Sequence, residues 1–159
     1  MPASERQIVT FYIGNVLCGI DVHQVREVVL FRNCMKLPKA PSFIEGLMNL
    51  RGQVVLVINL AELLELHNGE NISKKRETKM KNIIIVDTPG LHIGFLVDQV
   101  VGVVRVPSSD IEKAPFTSQG IITGILKLNE SLIMVMDAER IIDMIKESVG
   151  EVQLSAPKA

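Results

Sequence analysis

Residues 19–29 read GIDVHQVREVV, and residues 94–104 read GFLVDQVVGVV. The two stretches lie 75 positions apart and agree at six of eleven positions: Gly19/Gly94, Val22/Val97, Gln24/Gln99, Val25/Val100, Val28/Val103 and Val29/Val104. A second pair lies 78 positions apart. Residues 46–64 read GLMNLRGQVVLVINLAELL, and residues 124–142 read GILKLNESLIMVMDAERII. Gly46/Gly124, Leu50/Leu128 and Val57/Val135 coincide, and Asn59 and Asp137 stand before matching apolar pairs, Leu63-Leu64 and Ile141-Ile142. Valine-rich strands resemble one another by chance, which accounts for part of the apolar agreement. It does not account for matched Gly, Gln and helix-cap positions in the same order. The chain reads as two copies of one unit, with a period too long for a solenoid repeat.

The unit is a β unit, because its dominant periodicity is two, the spacing of half-buried strands. Val9, Phe11 and Ile13 alternate with more polar neighbours, Gly14-Asn15 makes a turn, and Val16, Cys18 and Ile20 resume, which predicts a hairpin. A helical turn near Val22–Arg26 and a strand at Val28–Phe31 follow. Pro38 and Pro41 break the chain, and Ser42 is placed to cap a helical turn at Phe43–Gly46. Strands at Leu47–Leu50 and Gln53–Ile58 and a short helix at Ala61–Leu66 complete the first copy. The second copy repeats the programme: strands at Ile83–Asp87, Leu91–Val97 and Gly102–Val106, with Asp98–Val101 between the last two. A loop at Pro107–Pro115 and a hairpin of Ile122–Leu128 and Leu132–Met136 follow. Asp137 caps a closing helix whose stripe is Ile141, Ile142, Ile145 and Val149.

Each copy has about five short strands, and closing so small a sheet into a barrel removes its exposed edges. The runs Ile83-Ile84-Ile85-Val86 and Val54-Val55-Leu56-Val57-Ile58 are continuous, as in strands covered on both faces. The expected fold is therefore all-β: two small barrels sharing an apolar layer, with a cleft where they meet. The expected limits are 6–67 for the first barrel, 68–81 for a polar basic connector, 82–149 for the second barrel with its closing helix, and 150–159 for a frayed tail. Terminal segments are free to exchange between the barrels.

Composition narrows the function. Hydrophobic residues make up 47% of the 159 and charged residues 22%, as in a globular protein. The net charge is -1, and the basic residues are concentrated in residues 68–81, where Lys74, Lys75, Arg76, Lys79 and Lys81 face Glu70 and Glu77. The remainder is mildly acidic and has one Tyr and no Trp, which argues against nucleic acid as a partner. The basic run reads as a solvated connector. Met1–Arg6 is polar and no stretch reaches the length of a membrane span, so a cytoplasmic protein without direct membrane insertion is expected. Cys18 and Cys34 then read as free thiols, although a disulfide between them is compatible with the sequence.

No catalytic, cofactor or metal site is apparent. His23, His67 and His92 are scattered, without the spacing of zinc ligands. Phosphate-binding glycine loops and the G-x-S-x-G nucleophile motif are absent. Asp21, Asp87, Asp98 and Asp137 fall at strand ends or turns, where acidic residues cap or solvate. Arg51 stands out among the polar residues, either as a turn arginine bonded locally or as a contact residue on a barrel surface. A small-molecule-binding barrel is the competing class, and it needs a convergent polar pocket that the sequence does not supply.

The stretch PKAPSFIEGLMNLRGQVVLVINL, residues 38–60, resembles the P-x-A-P-x-x-x-x-G-x-x-N-L-R-G signature of the CheW family of chemotaxis coupling proteins. Residues 11–29 are similar to that family's opening hairpin, and GFLVDQVVGVVRVPSSDIEKAP and GILKLNESLIMVMDAERII to its second half. The similarity covers about residues 6–148. Cys18 stands where the family often has an aromatic, Leu56 where Pro is common, and Asn59-Leu60-Ala61 where D-L-R is usual. The resemblance implies two SH3-like five-stranded barrels and a non-catalytic adaptor joining chemoreceptor cytoplasmic tips to the regulatory domain of a CheA-type histidine kinase, in chemotaxis or another two-component pathway. It also implies barrel-to-barrel rings. Carried over residue by residue, it implies partner-binding roles for Val25, Glu27, Gly46 and Arg51. Val28 joins Val25 in lining the groove, and Val100 and Val101 are their counterparts from the second copy.

Overall fold

β1 (Glu5–Ile13) and β2 (Val16–Asp21) form the hairpin predicted around Gly14-Asn15, with Ile13 opposite Val16. The structure is a computed structural model and describes residues 4–66, 80–114 and 120–149. The connector expected at 68–81, apart from Met80 and Lys81, and the tail expected at 150–159 lie outside these residues, as do His67 and the side chain of Val149. After a 3-10 turn at Val22–Gln24 come β3 (Val25–Leu30), β4 (Ile44–Leu50), β5 (Gln53–Asn59) and the short helix α1 (Leu60–Leu63). Then follow β6 (Asn82–Val86), β7 (His92–Val97), β8 (Gln99–Pro107), β9 (Ile111–Lys113), β10 (Ile122–Leu128), β11 (Ser131–Met136) and the closing helix α2 (Ala138–Val149).

The strands form two sheets, in the orders β8-β1-β2-β11-β10-β9 and β3-β6-β7-β5-β4. Substituting each strand by its equivalent in the other copy turns one order into the other. The counterpart of β9 is a single bridge, Met35 to Leu47, beside β4. The ladders repeat as well. β11 runs parallel to β2 with Val135 opposite Gly19, and β5 runs parallel to β7 with Val57 opposite Gly94. These are the residues paired by the repeat.

The same packing accounts for the matched glycines. A Cβ on Gly19 would lie 2.4 Å from Ile8 Cγ2 and 3.2 Å from Ile133 Cγ2; one on Gly94 would lie 2.5 Å from Ile83 Cγ2 and 3.3 Å from Val55 Cγ1. Ile8 and Ile83 are equivalent, as are Ile133 and Val55. Each glycine admits the same two β-branched neighbours over the strand.

The sheets cross the expected limits of 6–67 and 82–149. Residues 25–97 build all of the five-stranded sheet, and the six-stranded sheet takes β1–β2 from before this stretch and β8–β11 from after it. The β1–β2 hairpin of the first copy is thus exchanged for β6–β7 of the second. The repeat reports a period but not the phase at which structural units begin, and the crossovers fall after β2 and after β7.

Three local expectations also change. Phe43–Gly46 is not a helical turn: Ser42-Phe43 make the turn and β4 begins at Ile44. Gly46 sits at a bulge with φ +150°, where a Cβ would lie 2.4 Å from the Met35 carbonyl oxygen, so both the positive φ and the close neighbour require glycine. Asp98 alone separates β7 from β8, and Pro107–Pro115 includes a 3-10 turn and β9.

Three apolar clusters hold this together. Met48, Val55, Val57, Ile83, Ile85 and Leu96, with Val29 and Leu50 against them, fill the inside of the five-stranded sheet. Since β3 and β4 are its two edges, the sheet curls round on itself. Ile8, Val106, Leu126, Ile133 and Val135, with Val104 and Ile111, do the same in the other sheet. The third cluster is shared: Phe11, Ile20, Ile58, Ile84, Phe95, Met136, Ile141 and Ile145 come from both sheets and α2. Side chains alternate across a strand, so Ile83 and Ile85 face one cluster while Ile84 and Val86 face another. That is why these runs are apolar without a break. Each such fully buried side chain contributes roughly 1.5–3 kcal/mol.

Candidate partner-binding surface

The two edge strands β3 and β8 carry most of the residues that the resemblance singles out. Both are bulged at the same place. β3 pairs with β6 through Val25 and Glu27 but skips Arg26; β8 pairs with β1 through Val100 and Gly102 but skips Val101. Arg26 and Val101 are equivalent positions. A bulge re-aims the side chains on either side of it. Val25 and Val100, before the bulges, pack against the shared core, and Val29 and Val104, after them, pack into the separate barrel interiors. Val28, Leu30, Val101 and Val103 are left on the outside, with Val28 38% and Val103 55% exposed.

Glu27 and Arg51 meet. Arg51 lies in the β4–β5 turn at φ 51°, and its Nη2 donates to Glu27 Oε2 at 2.5 Å across from β3. Asn49 Oδ1 accepts from the Gly52 N–H at 2.8 Å and fixes the turn that carries the guanidinium. The arginine side chain is 66% exposed, so this is a surface ion pair, and it contributes about 0–1 kcal/mol to folding. A hollow lined by Val29, Leu30, Arg32, Met48, Leu50 and Arg51 opens beside it.

The structure therefore sorts the seven residues. Glu27, half-buried, and Arg51, exposed, pair at the open edge of the first barrel, and Val28 is exposed on the opposite side of β3. Val101 is exposed on the edge of the second. Val25 and Val100 are partly buried against the shared core, and Gly46 is buried at its bulge. The exposed apolar residues not singled out from sequence include Val54, near the start of β5, and Leu132, near the start of β11, which are 52% and 62% exposed. They are equivalent under the 78-residue spacing. That spacing was the available signal, but Val54 opens a continuous apolar run and reads as buried.

Other reactive groups are structural. Cys18 and Cys34 are free thiols. Burial pushes the Cys18 thiol up to about 12. Burial, reinforced by Glu45 and opposed by Lys36, pushes Cys34 up to about 11. Neither is a thiolate nucleophile near neutral pH. Asp21 is held by Arg6 Nε at 2.9 Å and His23 Nδ1 at 2.7 Å. Among the described residues no group of three or more His, Cys, Asp and Glu is arranged to hold a metal ion, and no helix is long and apolar enough to cross a membrane.

The chain as a whole is similar to known proteins. The CheW-like domain family matches residues 7–146. The chemotaxis protein CheW of Thermotoga maritima is 30% identical over 92% of this chain and 93% of its own length, and that of Bacillus subtilis is 30% identical over 89% and 88%. The scaffolding protein TtCheW from Thermoanaerobacter tengcongensis, solved by crystallography, aligns with a TM-score of 0.70 at 31% identity, covering 86% of this chain and 84% of that one. With the family match running from within β1 into the closing helix α2, the chain belongs to the CheW-like domain family.

Proposed function

We propose that this chain is a non-catalytic, cytoplasmic coupling adaptor that joins the cytoplasmic tip of a chemoreceptor to the regulatory domain of a CheA-type histidine kinase. Relatives over nearly the whole chain are chemotaxis CheW proteins, and the crystallographic neighbour is a scaffolding protein. The observation that carries the reading is the open edge of the first barrel, where β3 offers Glu27, paired with Arg51, and the exposed Val28 and Leu30. Apolar contact beside a fixed charge is the usual composition of a specific interface, the charge selecting the partner and the apolar area supplying affinity. A helical receptor tip docks by laying an apolar face in such a groove.

The second exposed pair suits assembly. Val54 and Leu132 give each barrel an apolar side chain at the same structural position. An adaptor with two like surfaces can meet homologous barrels on both sides, and heterologous contacts of this kind close into rings when the rotation permits.

The test mixes the purified chain with a CheA-type kinase and a receptor cytoplasmic fragment from the same organism. Binding to each partner alone, and receptor-controlled kinase autophosphorylation only when all three are present, is the expected result. Absence of binding to the kinase regulatory domain ends the proposal.

A further inference from the structure

The chain crosses between sheets twice, and the first crossover is the 3-10 turn Val22–Gln24, directly before β3. The Gln24 side chain ties this turn to the far end of the chain. Its Nε2 donates to Asp137 Oδ1 at 3.0 Å, and its Oε1 accepts from the Ala138 N–H at 3.0 Å. Both ends of the amide are used. Asp137 Oδ1 also accepts from the Glu139 N–H, so Gln24 and Asp137 together cap the first turn of α2. The Gln24 carbonyl accepts from the Asp87 N–H at 3.1 Å, just past β6.

A cavity lined by His23, Gln24, Asp87, Ala138, Glu139 and Ile142 lies beside this contact. Close packing does not hold the turn on that side. Among the described residues no other side-chain hydrogen bond joins the turn to α2. The second crossover is held differently: Gln99 is exposed, and the preceding Asp98 instead accepts from the Gly14 N–H and pairs with Lys81.

We infer that Gln24 is a positioning residue for partner binding: by pinning the first crossover to the α2 cap, it fixes the direction in which β3 presents Glu27 and Val28 and the angle between the barrels. The inference rests on the coupling function proposed above, and its structural half can be read without any partner.

The test compares Gln24→Glu, Asp137→Asn and the double variant. In Gln24→Glu the new carboxylate cannot donate to Asp137 and meets it as a like charge. In the double variant the amide and the carboxylate exchange positions, so one donor and one acceptor face each other again. Two readouts are taken: the distance between spin labels at Val54→Cys and Leu132→Cys, in a Cys34→Ser background with Cys18 buried, and, on the chain with native Val54 and Leu132 and no label, affinity for the kinase regulatory domain. Gln24→Glu is expected to shift or broaden the distance distribution and to weaken binding roughly tenfold. The double variant returns both to the parental values. Gln24→Ala, which brings no like charge, gives the same distance change and serves if Gln24→Glu does not fold. Distances unchanged in both single variants at Gln24 overturn the inference. So does a loss of binding with no distance change and no rescue, which would make Gln24 a direct contact. If the parental chain binds no kinase domain, the coupling function falls, while the distances still decide whether Gln24 sets the barrel angle.

Discussion

The two barrels share a strand order, equivalent glycines and equivalent bulges, yet their outer surfaces differ. Glu27 of the first corresponds to Gly102 of the second, and Arg51 to Asn129. The backbone did not diverge with the side chains: Arg51 and Asn129 both occupy the left-handed region, at φ 51° and 55°. Asparagine is at home there and arginine is not. The first barrel therefore holds a long charged residue in a turn that its twin fills with a residue suited to the conformation. What is common to both copies is what packing requires, and what is peculiar to one marks a surface under a different demand.

The comparison breaks most severely in the cores. Val57 and Val135 are equivalent and fully buried. Val57→Asp or Val135→Asp leaves an unpaired charge in an apolar interior, and each should cost ~4 kcal/mol or more. Because one cluster is common to both sheets, either change should abolish both barrels in a single transition by circular dichroism. A normal melt would refute burial of the strand, and loss of one barrel alone would make the barrels independent.

Smaller losses are expected at the paired glycines. Gly19→Ala and Gly94→Ala each force a Cβ against an isoleucine methyl, at a cost of about 1–3 kcal/mol. Urea titration should give similar values for the two. A large disparity would mean that the copies do not pack alike around the parallel ladder.

Arg51→Glu should change stability by less than about 1 kcal/mol, since the pair is exposed. Binding to the kinase or receptor should nevertheless fall, and the charge-exchanged Glu27→Arg/Arg51→Glu variant separates loss of the pair from loss of its polarity. Asn129→Glu, at the twin turn, should leave binding as it is. Unaltered binding by Arg51→Glu would remove the first barrel's face from the site.

The last effect is confined to alkaline pH. Cys18 is raised from 9.0 to about 12 in the folded chain. The folded state keeps its proton where the unfolded state releases it, so this contribution is complete below pH 9 and is lost as pH climbs toward 12. Cys18→Ala should flatten the fall in melting temperature across that window and leave the pH profile below it unaltered.

The period-two pattern and the repeat made most of this architecture legible, because alternation and duplication are both local signals. The phase was not legible. Nothing around Val9 or Phe11 announces that β1 will pair with β8, more than 85 positions away, and the Lys-rich run at 74–81 looked like a boundary. Ser42 offered a helix cap, but Gly46 was needed at a bulge against Met35, and that tertiary contact decided the segment. At the site, the family signature indicated Glu27 and Arg51 separately. Their meeting depends on a turn and an edge strand 24 residues apart. The bulges at Arg26 and Val101, which turn Val25 and Val100 inward, leave no mark in a valine-rich pattern.

One barrel, residues 25–97, is inserted whole between two strands of the other. Each ancestral copy has lent its opening hairpin to its sibling and now depends on the loan. Deleting either half would strip the survivor of two neighbouring strands and expose unsatisfied backbone along the gap. The duplication is thus irreversible by simple loss. The molecule is bound to carry two faces, and natural selection has been free to give them different tasks.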